Sequence, residues 1–149
     1  MKILSFDLQQ LDMIDLLSER HMLLRRVMEQ DWNAISEVPI ANSEWYMMSR
    51  IYKQETTISH ITKNVNISRQ ATHKVIKKLV DKQLVEVRDH EQNKKLKSIQ
   101  LTAFGEKCFE QYAELMQNLE RKIADTIGKD RLFLLKDLLK LDWEIERQA

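Results

Sequence analysis

Residues 68–84 read SRQATHKVIKKLVDKQL, and the first turns of this stretch carry side chains suited to reading bases. The guanidinium fork of Arg69 matches guanine O6/N7, the amide of Gln70 matches adenine N6/N7, and the imidazole of His73 can donate or accept beside them. Ser68, Thr72, Lys74 and Lys77 offer the hydroxyls and ammonium groups that hold phosphate oxygens and set register, and Lys63 stands just upstream. Gln70, His73, Lys74 and Lys77 recur at i, i+3, i+4 and i+7, opposite an apolar row of Ala71, Val75, Ile76, Leu79 and Val80. One helix therefore buries one side and presents a basic, hydrogen-bonding side to something else. Lys78 and Lys82, further along it, read as solvated.

A basic face alone is commonly just a solvated face. Three neighbours argue for more: a short helix before it, an N-cap serine at its start, and a polar hairpin tip after it. Arg88, Lys94 and Lys95 on that hairpin would add phosphate or minor-groove contacts. The charge distribution agrees. Net charge is +1, yet residues 60–101 hold ten Lys/Arg against four Asp/Glu, a balance of +6, which leaves −5 elsewhere. The positive charge is gathered where it could meet a polyanion. An acidic protein partner is the alternative reading of the same face.

Other chemistries find little support. Two glycines and one proline rule out a Gly-rich phosphate loop or dinucleotide fingerprint, and no nucleophile–base grouping stands out, so the chain is not expected to be an enzyme. His21, His60, His73 and His90 fall on separate elements with no His-x-x-x-His or Cys-x-x-Cys pair, so neither metal nor cofactor is expected. Cys108 lies beside Glu106 and Glu110, which disfavours a reactive thiolate. A single cysteine, an opening MKILSFDLQQ interrupted by Asp7, and the lack of a long apolar run fit a cytoplasmic protein without a membrane partner.

The elements that must position this face are mostly helices, as the shortage of turn formers requires. A long helix spans about Phe6 to Trp32, with Leu8, Leu11, Ile14, Leu17, Leu24 and Met28 in one row and Met13, Leu16, Leu23 and Val27 widening it. Residues 37–42 read as a linker, with Asn42 or Ser43 capping a helix that buries Trp45, Met48, Ile51 and Tyr52. A short helix uses Ile58, Ile61 and Val65; the basic helix follows from Ser68. Leu84, Val85 and Val87, then Leu96, Ile99 and Leu101, alternate as two strands around a tip at Asp89–Lys95. Helix resumes from Thr102 onward to Ile127, with Gly128 as its cap, and restarts at Asp130 with Leu134, Leu135, Leu138, Leu139, Leu141 and Ile145. The fold class is mainly α with a small β-hairpin wing: a winged helix-turn-helix over about residues 43–101. Helical arms at about 3–32 and 102–149 complete a single domain of residues 1–149. Their apolar stripes are too broad for so small a centre to cover, which points to a homodimer.

The motifs SEWYMMSRI, ISRQATHKVIKKLVDKQLV and LTAFG resemble those of the MarR family of bacterial transcriptional regulators, over nearly the whole chain in element order. The resemblance implies a homodimer built by the terminal helices, with each recognition helix in a major groove of double-stranded DNA and each wing near a minor groove. It implies a pseudo-palindromic operator, repression by default, and release by a small, often phenolic, effector. By that analogy the effector pocket would draw on His21, Arg25, Trp45 and Tyr46. Two departures stand out. Where the family's wing usually carries Asp-x-x-Asp-Arg-Arg, this chain has Asn93-Lys94-Lys95, and a lysine lacks the fork that fixes direction. Where the family commonly closes the recognition helix with glycine, this chain has Gln83, so that turn is expected to be built differently.

Overall fold

The computed structural model describes residues 7–65, 67–89, 92 and 95–146. The first helix, α1, spans Met13–Ile35, later at both ends than the apolar spacing predicts. Two aspartates account for the late start. Asp7 accepts from the Gln9 amide and holds a 3₁₀ turn at Leu8–Gln10, and Asp12 then caps α1 by accepting from the Asp15 amide at 3.0 Å. Only Met28 and Trp32 of α1 are buried. The linker after it is fixed by the Trp32 indole, which donates to the Val38 carbonyl at 2.8 Å.

Helix α2 spans Asn42–Ile51, and its N-cap is Ala41 rather than Asn42 or Ser43. Alanine has no side-chain acceptor. The carboxylate of Glu44 instead reaches back to the Ala41 amide at 3.1 Å, which is half of a capping box. Trp45, Met48 and Ile51 are buried as the spacing requires, and Tyr52 is half-buried. A short strand, β1 (Thr56–Thr57), precedes α3 (Ile58–Asn64), which Thr57 caps. Helix α4 runs Arg69–Asp81 from the predicted N-cap Ser68, whose hydroxyl accepts from the Ala71 amide at 3.1 Å.

Strands β2 (Val85–Asp89) and β3 (Lys97–Leu101) form the hairpin, pairing Val85 with Leu101 and Asp89 with Lys97. The sheet is antiparallel and three-stranded in the order β1-β3-β2. Two paired residues of β1 are too few for periodicity to reveal. Helix α5 (Ala103–Ile127) begins at Thr102, and α6 (Lys129–Lys140) follows Gly128, whose φ of 101° only glycine takes up readily. Leu141 and Ile145 of the predicted last helix lie beyond its end.

The exit from α4 is the point that corrects the sequence reading. Gln83 does adopt the left-handed conformation, with φ 62°. Its amide donates to the Val80 carbonyl and the Leu84 amide to the Leu79 carbonyl, both at 2.9 Å. That pattern is a Schellman cap, completed by packing between Leu79 and Leu84, both fully buried. The apolar contact and paired amides outweigh a left-handed penalty of about 1–2 kcal/mol. The same turn anchors α5: the Thr102 hydroxyl donates to the Gln83 carbonyl at 2.7 Å and the Thr102 amide to the Leu84 carbonyl at 3.0 Å. Gly105, one turn into α5, lies so close to Leu84 that an added Cβ would land on its carbonyl oxygen.

The core lies between α2, α4, the sheet and the near ends of α1 and α5. It is built on Trp32, Met47, Met48, Ile51, Leu79 and Ile99. After Tyr112 no described residue is buried. Ile14, Phe133, Leu134 and Leu139 are each at least half exposed.

Candidate nucleic-acid interface

Helix α4 divides its residues as the apolar spacing predicts, with two exceptions. Thr72, Val75, Ile76 and Leu79 are buried, whereas Arg69, Gln70, His73, Lys74 and Lys77 are exposed along one side. Val80, expected inward, is exposed. Thr72, expected to hold a phosphate, is fully buried, and its hydroxyl donates to the Ser68 carbonyl at 3.0 Å. It helps close the first turn of the helix and faces away from any ligand.

The first turn of α4 also forms one wall of a cleft of about 350 Å³. Lys63 of α3, Arg69 and His73 of α4, and Lys95 and Lys97 at the foot of the wing line it, with the hydroxyls of Ser59 and Thr62. Five of the described basic or imidazole side chains thus converge where α3, α4 and the hairpin meet. Such a concentration of donors suits a negatively charged group. Ser59, Thr62 and Lys97 were not legible as site residues. Their place follows from β1, which draws the start of α3 against β3.

On the hairpin, Arg88 pairs with Glu86 at 3.1 Å and Lys97 with Asp89. The Gln100 amide, and then Arg88, hold the Glu86 carboxyl below the usual range. These acids orient the wing's cations along the strands and trim their net charge. Lys94 lies outside the described residues.

Lys82 is not solvated as predicted. Its ammonium is 2.7 Å from the buried carboxylate of Glu44 and 2.6 Å from the Pro39 carbonyl. Glu44 was missed because a lone glutamate in a helix's first turn looks like a surface cap.

Of the residues suggested for an effector, Trp45 and Arg25 meet at Tyr112. Trp45 is buried, stacked on Tyr112 with ring centroids 3.9 Å apart, and edge-on to Trp32 at 4.9 Å. Arg25 donates to the Tyr112 hydroxyl at 3.3 Å, Tyr46 lies beneath the Arg50 guanidinium, and His21 is exposed. A second cleft, of about 440 Å³, lies further out between α1 and α5, lined by Asp31, Ile35, Leu115, Asn118 and Arg121 among others. Cys108 is buried, which pushes its thiol up and keeps it protonated. Among the described residues no His/Cys/Asp/Glu group is arranged to hold a metal, and no helix is long and apolar enough to cross a membrane.

Comparison with known proteins agrees with this geometry. A model of the MarR family matches residues 39–95, the segment from the linker through α4 to the wing. No curated protein matches the sequence. Among solved structures, the chain is similar to Streptococcus pneumoniae FabT in complex with DNA, at 17% identity and TM-score 0.74, covering 89% of this chain and 92% of that one. It is similar to the Staphylococcus aureus MepR–DNA complex at 16% identity and TM-score 0.72, covering 87% and 95%. It is also similar to a mutant MarR from E. coli complexed with operator DNA, at 20% identity and TM-score 0.70, covering 85% and 89%. The MarR family model thus falls on the segment that carries the basic helix, and the fold is shared with these solved structures over most of the chain's length.

Proposed function

We propose that the protein is a sequence-specific regulator of transcription that binds double-stranded DNA as a homodimer. The observation that carries this reading is the α4 face, where Arg69, Gln70, His73, Lys74 and Lys77 are exposed above a fully packed opposite side. Arg69, Gln70 and His73 read base edges; Ser68, Lys74, Lys77 and Lys63 hold phosphates; Arg88, Lys94 and Lys95 extend the contact along the wing. The DNA complexes of structurally similar proteins support the same mode. A two-fold dimer places half-sites one helical turn apart, roughly 10 base pairs, so the operator is an imperfect palindrome.

The second copy covers the exposed apolar surface of α1 and α6. Large apolar side chains exposed along both terminal helices favour such an interface. The regulator acts as a repressor, and a small phenolic molecule releases it. Binding of that molecule among His21, Arg25, Trp45 and Tyr46 parts the Trp45–Tyr112 stack, so titration with phenols changes tryptophan fluorescence.

The test is fluorescence anisotropy with the duplex upstream of the gene and a scrambled duplex, across a salt series. A regulator binds the upstream duplex preferentially, and log affinity falls by about 0.9 per phosphate neutralised for each unit of log salt. Gln70→Ala and His73→Ala remove the preference if the face reads DNA. If it docks an acidic protein instead, the lysines alone matter and neither duplex is preferred.

A further inference from the structure

Resting on the DNA-reading assignment, we infer that Glu44 and Lys82 are positioning residues that set the angle of the recognition helix. Glu44 is 98% buried from solvent by its 2% exposure, at the start of α2. One of its oxygens, Oε1, accepts from both the Lys82 ammonium at 2.7 Å and the Ala41 amide at 3.1 Å. The other, Oε2, is buried with no hydrogen-bond partner among the described residues. Lys82 is the C-cap of α4, and its ammonium also donates to the Pro39 carbonyl at 2.6 Å.

A buried carboxylate with one oxygen unsatisfied is a poor device for stability. An apolar pair of the same shape holds a fold as well or better, because neither ion must be stripped of water. What the ion pair supplies is direction. It joins the end of α4 to the α1–α2 linker at a single point, and that linker is itself held to α1 by the Trp32 indole on Val38. A continuous chain of polar contacts therefore runs from α1, through Val38, Pro39 and Lys82, to the recognition helix. Packing of Leu79 and Val75 sets the depth of α4; the latch at its far end sets its tilt. Tilt matters for base contacts, which require alignment of a bidentate pair, and much less for phosphate contacts made by flexible lysines.

The experiment compares the parent with Lys82→Met and with the double variant Glu44→Gln/Lys82→Met. Each is titrated with the duplex the parent enriches from a random library and with a scrambled duplex, alongside thermal melting. Lys82→Met strands a buried carboxylate and is expected to melt early. The double variant removes both charges together and keeps the Ala41 contact, so its melting temperature stays close to the parent's. Its preference for the selected duplex falls roughly tenfold, the scale of losing one bidentate base contact, while scrambled-duplex affinity and salt slope stay unchanged. A double variant that keeps the parent's full preference overturns the latch. So does an equal loss on both duplexes, which would make Lys82 a phosphate contact. A parent that enriches no duplex overturns the DNA-reading assignment itself, a distinct failure seen before any variant is made.

Discussion

The centre and the ends of this chain obey different rules. From Ile40 to Tyr112 each helix has an apolar side covered by another element, and the helix starts at Thr57, Ser68 and Thr102 are each capped by their own hydroxyl. Outside that span, α6 buries nothing and the first half of α1 exposes Met13, Ile14 and Leu17. Both regions are mainly helical, but leucine is concentrated outside the span, at 15 of 76 residues against four of 73 within it. The difference is whether the covering surface belongs to the same chain. The centre is a finished object; on the homodimer proposed above, the ends are half of one.

The sharpest way to break that contrast is at the seam of the finished part. Gly105→Ala drives a methyl into the Leu84 backbone, which cannot yield as a flexible side chain could. The expected loss is about 3 kcal/mol or more, read as a lower urea midpoint. Next is the unfinished part. Leu134→Glu with Leu138→Glu places charge on an α6 surface that is already exposed in one copy, so the single chain loses little. Association should weaken at least about a hundredfold, near 3 kcal/mol, as sedimentation across a concentration series would show. If the variant instead unfolds at every concentration, those leucines belong to the chain's own core and the contrast fails.

Smaller effects sharpen the picture within α4. Gln70→Ala should cost about 1–3 kcal/mol of discrimination between duplexes, whereas Lys77→Ala weakens both alike and lowers the salt slope by about 1. The smallest runs the other way. Gln83→Gly relieves a side chain held at φ 62° and should stabilise the protein by about 1 kcal/mol, seen as a higher melting temperature with DNA preference intact.

How much of this was readable beforehand differs by feature. The division of α4 into a packed and a basic side follows from a 3.6-residue period, and Val75, Ile76 and Leu79 fell where that period put them. Ser68 and Gly128 were legible because caps are local chemistry. Thr72 and Lys82 were misread for a common reason: their partners are elsewhere. A threonine at the margin of an apolar row, or a lysine at a helix end, looks identical in sequence whether it faces water or a buried group. Glu44, Ser59, Thr62 and Lys97 acquire meaning only once α2 meets α4 and β1 meets β3. Gln83 shows the converse error. The strain at that residue was recognised, but the surrounding Schellman cap and the grip of Thr102 were not, and these tertiary contacts hold it there.

That grip has a consequence for the hairpin it encloses. Leu84 and Thr102 are hydrogen-bonded to each other, so the wing leaves and re-enters the body at a single closed doorway. Whatever lies beyond it can be lengthened, shortened or recharged at a modest entropic cost, about 0.6 kcal/mol for each doubling of a flexible loop. The wing is in this sense an interchangeable part, and descendants of this sequence can change its reach and charge without rebuilding α4.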